Sequence, residues 1–135
     1  MGACLLLRRK VLDTVGLLDE EYFIYSEEVD LCYRIQKAGW DLFWVPQAQV
    51  IHFGGQSTQQ ASEEMFLRLY QGKVIFFRKH SSRWNVGLYK LVLFVAAALR
   101  LLLTPIVFLE TESRRKTHLH LAKNYWRLIT HLRAM

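Results

Sequence analysis

The longest apolar stretch, residues 86–109, limits the folds that are open to this chain of 135 residues. About 20 largely apolar residues suffice to cross a bilayer. Lys90, Arg100 and Pro105 interrupt the stretch; a central Arg costs about 2.5–3.5 kcal/mol on insertion, and a proline kinks a helix. Because little chain remains to cover so much apolar surface, we expect membrane association, as one kinked span or an interfacial hairpin, rather than a buried helix of a soluble bundle.

Charge is distributed unevenly along the chain, which has a formal net charge of +6. Carboxylates cluster before residue 31, whereas Arg and Lys dominate after residue 68. The basic residues alternate with long apolar runs, a pattern that favours an anionic membrane surface over nucleic acid. Basic groups flank the apolar stretch on both sides, so the positive-inside rule indicates no orientation. A hairpin or in-plane arrangement, which leaves both ends cytoplasmic, fits this symmetry. We expect the cytoplasmic face of the cell membrane, with a peripheral, hairpin or single spanning segment.

The C-terminal segment 116–133 has the pattern of a basic amphipathic helix. Its apolar stripe is formed by Leu121, Tyr125, Leu128, Ile129 and Leu132, opposite Lys123, Arg127 and Arg133. Such a helix suits a membrane surface, and it would equally suit packing on the preceding helix. Cys4 and Cys32 are too few for a disulfide framework or a zinc site, so we expect a reducing compartment. The short apolar run at 5–7 is followed at once by basic residues and is not a signal peptide.

Short elements are predicted in the first half of the chain. Residues 2–7, 42–45 and 47–53 have the patterns of strands. Residues 9–15 form a short predicted helix ended by Gly16. Trp40 and Trp44 could stack on a sugar, but we expect both in the core. Ser57 and Gln60 have the spacing of a capping box, and the helix that follows should end near residues 80–82.

An acidic stretch, residues 25–35, follows an aromatic run that begins at Tyr22 and contains the start of a helical pattern that ends at Gly39. Glu27 and Glu28 fall in the first turn, where the helix dipole favours anions. Asp30 and Arg34 are four residues apart and can pair on one face. From the residues alone, the stretch is either an ordinary acidic helix start or a carboxylate placed as a general base.

Five motifs, in this order, identify a resemblance. They are GACLLLRR at 2–9, VGLLDE at 15–20, EEVDLCYR at 27–34 with AGW at 38–40, VP at 45–46, and VIHFGGQS at 50–57. The order closely resembles the C-terminal half of family-2 glycosyltransferases with the GT-A fold, especially rhamnosyltransferase-like members of polysaccharide or cell-wall glycan assembly. The resemblance covers about residues 2–80 and implies an α/β fold: the C-terminal part of a GT-A domain, followed by membrane-associating helices.

The resemblance also implies a chemistry and a set of site residues. It implies an inverting transfer of a sugar from a nucleotide-diphosphate donor to a saccharide or lipid-linked acceptor, with a divalent metal, Mg²⁺ or Mn²⁺. Glu28 matches the base, although the family more often has Asp there, and His52 resembles a metal ligand. Asp19, Glu20, Glu27 and Asp30 are implied to contact the acceptor or substrate. A solvated loop at 19–20 and a structural Asp30–Arg34 pair are the alternatives.

The chain departs from the family in lacking the upstream nucleotide-binding half and its D-x-D-type metal motif. We therefore expect a fragment with little or no transferase activity by itself. The predicted divisions are 1–57 (C-terminal half of the catalytic domain), 58–83 (amphipathic connecting helix) and 84–135 (membrane-associating helices). The alternative is a non-catalytic, membrane-associated remnant or interaction module, whose acidic motif has only a structural role.

Overall fold

The computed structural model describes residues 2–53, 62–105 and 112–135. Its described helices are α1 (Arg9–Val15), α2 (Glu27–Lys37), α3 (Ser62–His80), α4 (Arg83–Leu102) and α5 (Glu112–His131). The predicted ends of α1, α2 and α3 are confirmed. Gly16 and Gly39 follow α1 and α2 with φ of 80° and 81°, values that glycine adopts without a steric penalty. The predicted capping box at 57–60 lies outside the described residues.

Helices α1 and α2 form a small packed unit. Val11, Leu31 and Ile35 make its buried core. Leu31 and Ile35 are four residues apart and so occupy the same face of α2. Trp40 packs against this core, as predicted. The prediction for Trp44 is wrong: it is 88% exposed, in a segment whose backbone forms no regular element.

Helices α3, α4 and α5 pack together around a second core. Its buried residues are Leu67, Val74, Leu93, Ala97, Leu128 and Leu132. Helix α5 packs mainly along α4, and both touch α3. Of the two alternatives left open for the basic amphipathic helix, packing on the preceding helix is therefore the one observed.

Helix α3 also contacts the first unit. Tyr33 of α2 meets Phe76 of α3 edge to face, with ring centroids 5.5 Å apart. At Gly72 the α3 backbone passes so close to the Tyr25 carbonyl that an added Cβ would lie 2.5 Å from its oxygen. These contacts place the C-terminal half of α3 beside the start of α2.

The expectation of strands is not met within the described ranges. Residues 2–7 and 41–53 carry no strand assignment, and every described element is helical. A strand exists only when its backbone pairs with a neighbour, and no described segment is paired with either of these. Alternating apolar residues thus do not suffice here to make the predicted sheet.

Helix α4 is long and apolar enough to cross a membrane by length and composition, and only 11% of its most apolar window is buried. The predicted apolar stretch thus coincides with a largely exposed helix as far as residue 102. The three predicted divisions of the chain remain predictions.

Candidate functional site

The N-terminus of α2 is held in an unusual backbone conformation. Tyr25 and Ser26, just before the helix, have φ of 68° and 73°. Non-glycine residues seldom adopt this left-handed region, and doing so costs of order 1 kcal/mol. The backbone of α3 at Gly72 lies against the Tyr25 carbonyl, so α3 packs directly on these two residues. Directly after them, the first turn of α2 contains Glu27, Glu28 and Asp30.

Asp30 is buried, with 1% of its surface exposed, and neighbours surround its carboxylate. Arg34 Nε donates to Oδ2 at 2.7 Å. His80 Nε2, from the last residue of α3, lies 2.6 Å from Oδ1, and the Tyr22 hydroxyl donates to the same oxygen at 3.3 Å. The predicted Asp30–Arg34 pair is confirmed, and it forms part of a larger network.

Protonation within this network follows from burial and charge. Burial alone would raise the pKa of Asp30, but the hydrogen bonds from His80 and Arg34, with the charges of both, together hold it below its ordinary value. Burial, and then the charge of Asp30, raise the pKa of the Tyr22 phenol well above its usual range. Asp30 is therefore an ionised, internally neutralised carboxylate and Tyr22 a permanent donor.

Arg34 extends the network to α1. Its guanidinium donates to the backbone carbonyls of Val15, through Nη1, and of Leu17, through Nη2 at 2.8 Å. Carbonyls at a helix C-terminus lack partners within the helix, and a guanidinium is well shaped to supply several donors at once. The pair thus joins α1, α2 and α3.

Glu28 has different surroundings. It lines a cleft of about 310 Å³ with Gly2, Cys32, Tyr33 and Phe76. The space beside its Cβ exists because residue 2 is glycine, since a Cβ there would lie 2.8 Å away. Across the described part of the chain, the carboxylate of Glu28 has no hydrogen-bond or ion-pair partner. Its carboxylate is thus available to a ligand in the cleft.

Glu27, its neighbour, has one carboxylate oxygen that is buried without a hydrogen-bond partner among the residues described. A buried polar oxygen left in this way costs free energy. The two glutamates are therefore the carboxylates of the motif that internal contacts do not use.

The loop at 19–21 is tied to the end of α3. Asp19 accepts a hydrogen bond from the Glu21 backbone N–H at 2.9 Å and forms an ion pair with Lys79. Glu21 pairs with Arg78 and, at 2.9 Å, with Lys79. Glu20 points outward and is exposed. Of the two predicted loop residues, Asp19 thus has an internal partner and Glu20 is open to solvent.

His52 is exposed in the irregular segment after α2. No group of three His, Cys, Asp or Glu side chains within residues 2–53, 62–105 and 112–135 is placed to hold a metal ion. Because hard divalent cations require several oxygen ligands, the described side chains do not by themselves form a site for Mg²⁺ or Mn²⁺. The structure does not join His52 to the acidic motif.

Sequence reasoning missed His80 and Tyr22 as partners of Asp30. His80 lies 50 positions from Asp30, and it was predicted only to end a helix. A histidine near a helix C-terminus is common because it suits the dipole, so its local pattern carries no signal of this contact. Tyr22 lies within the aromatic run before the motif, which hinted at proximity but not at a hydrogen bond.

Comparison with known proteins adds an independent line of evidence. An N-acetylglucosaminyl-diphospho-decaprenol L-rhamnosyltransferase of Mycobacterium tuberculosis is 40% identical over 88 residues, which is 64% of this chain and 29% of that protein. Rhamnosyltransferase WbbL of Escherichia coli is 32% identical over 65 residues, or 48% of this chain and 25% of that protein. A low-salt glycan biosynthesis hexosyltransferase of Haloferax volcanii is 28% identical over 69 residues, 51% of this chain and 22% of its own.

This chain matches under a third of the length of each of these relatives. No solved structure gives a significant match. The family model described as glycosyl transferase family group 2 matches residues 1–131. The chain therefore belongs to glycosyl transferase family group 2, and the relatives to which it is similar include rhamnosyltransferases.

Proposed function

We propose that this chain is the acceptor- and base-bearing part of an inverting glycosyltransferase with a GT-A fold. The donor is a nucleotide-diphospho-sugar and the acceptor a saccharide or a lipid-linked saccharide of polysaccharide or cell-wall glycan assembly. Family membership and the rhamnosyltransferase relatives support glycosyl transfer. The observation that carries the assignment to particular residues is the contrast between Glu28 and Asp30.

Glu28 suits a general base because its carboxylate lines a cleft and is not neutralised by a neighbouring cation among the residues described. Asp30 does not suit that role, since Arg34, His80 and Tyr22 occupy its oxygens. A base must reach the proton that it removes. Asp30 instead supports the helix that carries Glu28, two residues away.

In the proposed reaction, Glu28 accepts the proton of an acceptor hydroxyl. The oxygen forms a bond to the anomeric carbon while the bond from that carbon to the nucleotide diphosphate breaks, and the diphosphate departs with the electron pair. Attack from the side opposite the leaving group inverts the anomeric carbon. Positioned general bases contribute about 10²- to 10⁴-fold to such rates.

Glu27 and Glu20 are proposed to contact hydroxyl groups of the acceptor. Glu27 begins α2 and Glu20 lies in the loop before it, and neither carboxylate has an internal hydrogen-bond partner among the described residues. Asp19 is proposed to orient this loop through Lys79. A contact of His52 with Mg²⁺ or Mn²⁺ belongs to the same proposal and is supported by its place in the family motif alone.

The membrane is proposed as a further partner, at its cytoplasmic face. The exposed apolar surface of α4 supports contact with a membrane. An enzyme held at the surface meets a lipid-linked acceptor at a raised effective concentration. Peripheral, hairpin and spanning arrangements are all compatible with the length of α4.

A chimera tests the role of Glu28. Residues 2–80 replace the matching segment of the mycobacterial rhamnosyltransferase, and transfer from a labelled nucleotide sugar to its acceptor is measured. We expect Glu28→Gln to lower kcat at least about 100-fold, since the amide cannot take the proton. The isolated 135-residue chain is expected to show little or no transfer.

The matched control is Asp13→Asn, which makes the same chemical change at an exposed α1 residue that pairs with Arg9. It should change kcat by less than about twofold, because exposed pairs contribute little. Equal activity of the Glu28→Gln and Asp13→Asn chimeras, with matched melting temperatures, would overturn the proposal. Such a result would favour the non-catalytic alternative, a membrane-associated interaction module.

A further inference from the structure

Helix α4 is apolar on two opposite faces. Leu93 and Ala97 are buried in the core shared with α5. On the other side, exposed apolar residues recur at spacings of three and four, which place them in one line along the helix. This α4 stripe consists of Trp84, Leu88, Leu91, Val95, Leu99 and Leu102. So large an exposed apolar surface normally marks an interaction site.

A groove of about 720 Å³ lies between α4 and α5, beside the stripe. It is lined by Lys90, Leu91 and Phe94 from α4, by Ile129 from α5, and by Leu132 and Arg133, which directly follow α5. Leu91 belongs to both the groove and the α4 stripe. The groove is thus mostly apolar, carries two cations, and is continuous with the exposed apolar surface.

Lys90 and Arg133, the two cations of the groove, differ from the basic residues of α5 that face α3. Lys123 Nζ and Arg127 Nη1 bind Glu63 of α3 at 2.8 and 2.9 Å. Lys90 and Arg133 have no carboxylate or hydrogen-bond acceptor among the residues that the structure describes. Lys90 is also half-buried, beside the apolar lining of the groove. An anion in the groove would offset both charges.

We propose that the α4–α5 groove binds the phosphate headgroup of an anionic membrane phospholipid, with the α4 stripe among the acyl chains. Charge complementarity selects the phosphate. The extent of the stripe favours a bilayer over a single bound lipid, because it runs from residue 84 to 102, well beyond the groove. Helix α4 then lies in the plane of the interface, with its buried face towards the protein.

This proposal goes beyond membrane association by naming the headgroup site, and its test needs no transferase activity. The full 135-residue chain is mixed with vesicles of phosphatidylcholine containing phosphatidylglycerol, and co-flotation gives the partition coefficient. Basic residues near an anionic surface each contribute about fivefold in affinity. The Lys90→Gln/Arg133→Gln variant should therefore bind about 30-fold more weakly.

The charge-matched control is Arg8→Gln/Lys10→Gln, which removes two exposed cations near α1. It should bind within about threefold of the unmodified chain, because its charges lie outside the groove. The Lys90→Arg/Arg133→Lys variant keeps both charges and should also bind within about threefold. Circular dichroism and melting temperature verify that each variant is folded. An equal loss in the control variant would overturn the headgroup site in favour of general attraction.

Two further arms distinguish the source of the phosphate. Vesicles with polyprenyl phosphate in place of phosphatidylglycerol, at equal charge, should bind no more tightly. Inorganic phosphate at millimolar concentration, at constant ionic strength, should compete weakly or not at all. Binding only to the polyprenyl phosphate vesicles would assign the groove to a lipid-linked acceptor and overturn the proposal. Full competition by inorganic phosphate would overturn the role of the bilayer.

Discussion

Glu28 and Asp30, two residues apart in one helix, have opposite environments. Asp30 is enclosed by an arginine, a histidine and a tyrosine. Glu28 borders a cleft. Because α2 turns about 100° per residue, side chains two positions apart face nearly opposite directions. One acidic motif can therefore supply both a structural anion and a candidate base.

Asp30→Asn should destabilise the fold by about 3 kcal/mol, the scale for removing one partner of a buried ion pair. The amide leaves Arg34 and His80 without their shared anion. Urea unfolding followed by circular dichroism measures the change. The matched control Asp13→Asn breaks an exposed pair with Arg9 and should cost less than about 1 kcal/mol. Similar costs for both variants would contradict a structural role for the buried network.

The pH dependence of stability follows from the lowered pKa of Asp30. Its unfolded pKa is about 3.9, and its folded pKa lies below that value. The unfolded state therefore binds the proton first, so this contribution is fully present above pH ~4 and is lost as pH falls through the folded pKa. Unfolding midpoints between pH 7 and pH 3 should fall less steeply in Asp30→Asn than in the unmodified chain. Parallel curves would contradict this assignment.

At the scale of elements, α3 connects the two packed units. Its N-terminal part packs with α5 through Glu63, and its C-terminal part contacts the turn before α2 and the Asp30 network. The position of α3 thereby constrains the left-handed turn at residues 25–26. A substitution in α3 that disturbs this turn should therefore also shift the position of Glu28.

Two glycine substitutions test the approach of α3 to the turn. Gly72→Ala should destabilise by about 1–3 kcal/mol, because its Cβ would lie 2.5 Å from the Tyr25 carbonyl oxygen, and backbone cannot move aside cheaply. Gly87→Ala, in α4, meets nothing within 4 Å and should stabilise by about 0.5–1 kcal/mol, the helix preference of Ala over Gly. Thermal unfolding of both variants provides the comparison. Stabilisation by Gly72→Ala would show that the α3 backbone at Gly72 and the Tyr25 carbonyl are further apart than the structure places them.

At the scale of the whole molecule, ion pairs hold distant parts of the chain together. Glu63 contacts Lys123 and Arg127, which lie 60 and 64 positions away in the sequence. The hydrogen bond from Lys123 is the largest cause that lowers the pKa of Glu63, and the positive charges of Lys123 and Arg127 lower it further. Among the described residues, the neighbouring Glu64 pairs with Arg68, one turn along the same helix. Of these two adjacent glutamates, Glu63 thus connects distant parts of the chain, whereas Glu64 makes a contact within its own helix.

Glu63→Gln should lower the melting temperature more than Glu64→Gln, because it weakens the packing of α5 on α3. The difference between the two variants should shrink between 20 mM and 500 mM salt, since both pairs are solvent-accessible and salt screens them. Calorimetry at the two salt concentrations measures the melting temperatures of both variants and hence the difference between them. A difference that does not depend on salt would contradict an electrostatic origin.

The sequence by itself determined the features that depend on neighbours a few positions apart. The bounds of α1 and α2, the end of α3, the glycines after α1 and α2, and the Asp30–Arg34 pair all follow from local sequence patterns. The ordered motifs likewise indicated the family that the comparison later showed. These signals are readable because an α-helix fixes which residues meet at spacings of three and four.

Only the tertiary structure decided what depends on distant segments. It placed His80 on Asp30 and Glu63 on α5, and it gave Glu28 a cleft while Asp30 was enclosed. It also left the predicted strands unpaired in the described residues. The reason is physical: a strand or a long-range ion pair needs a partner whose position no local pattern encodes.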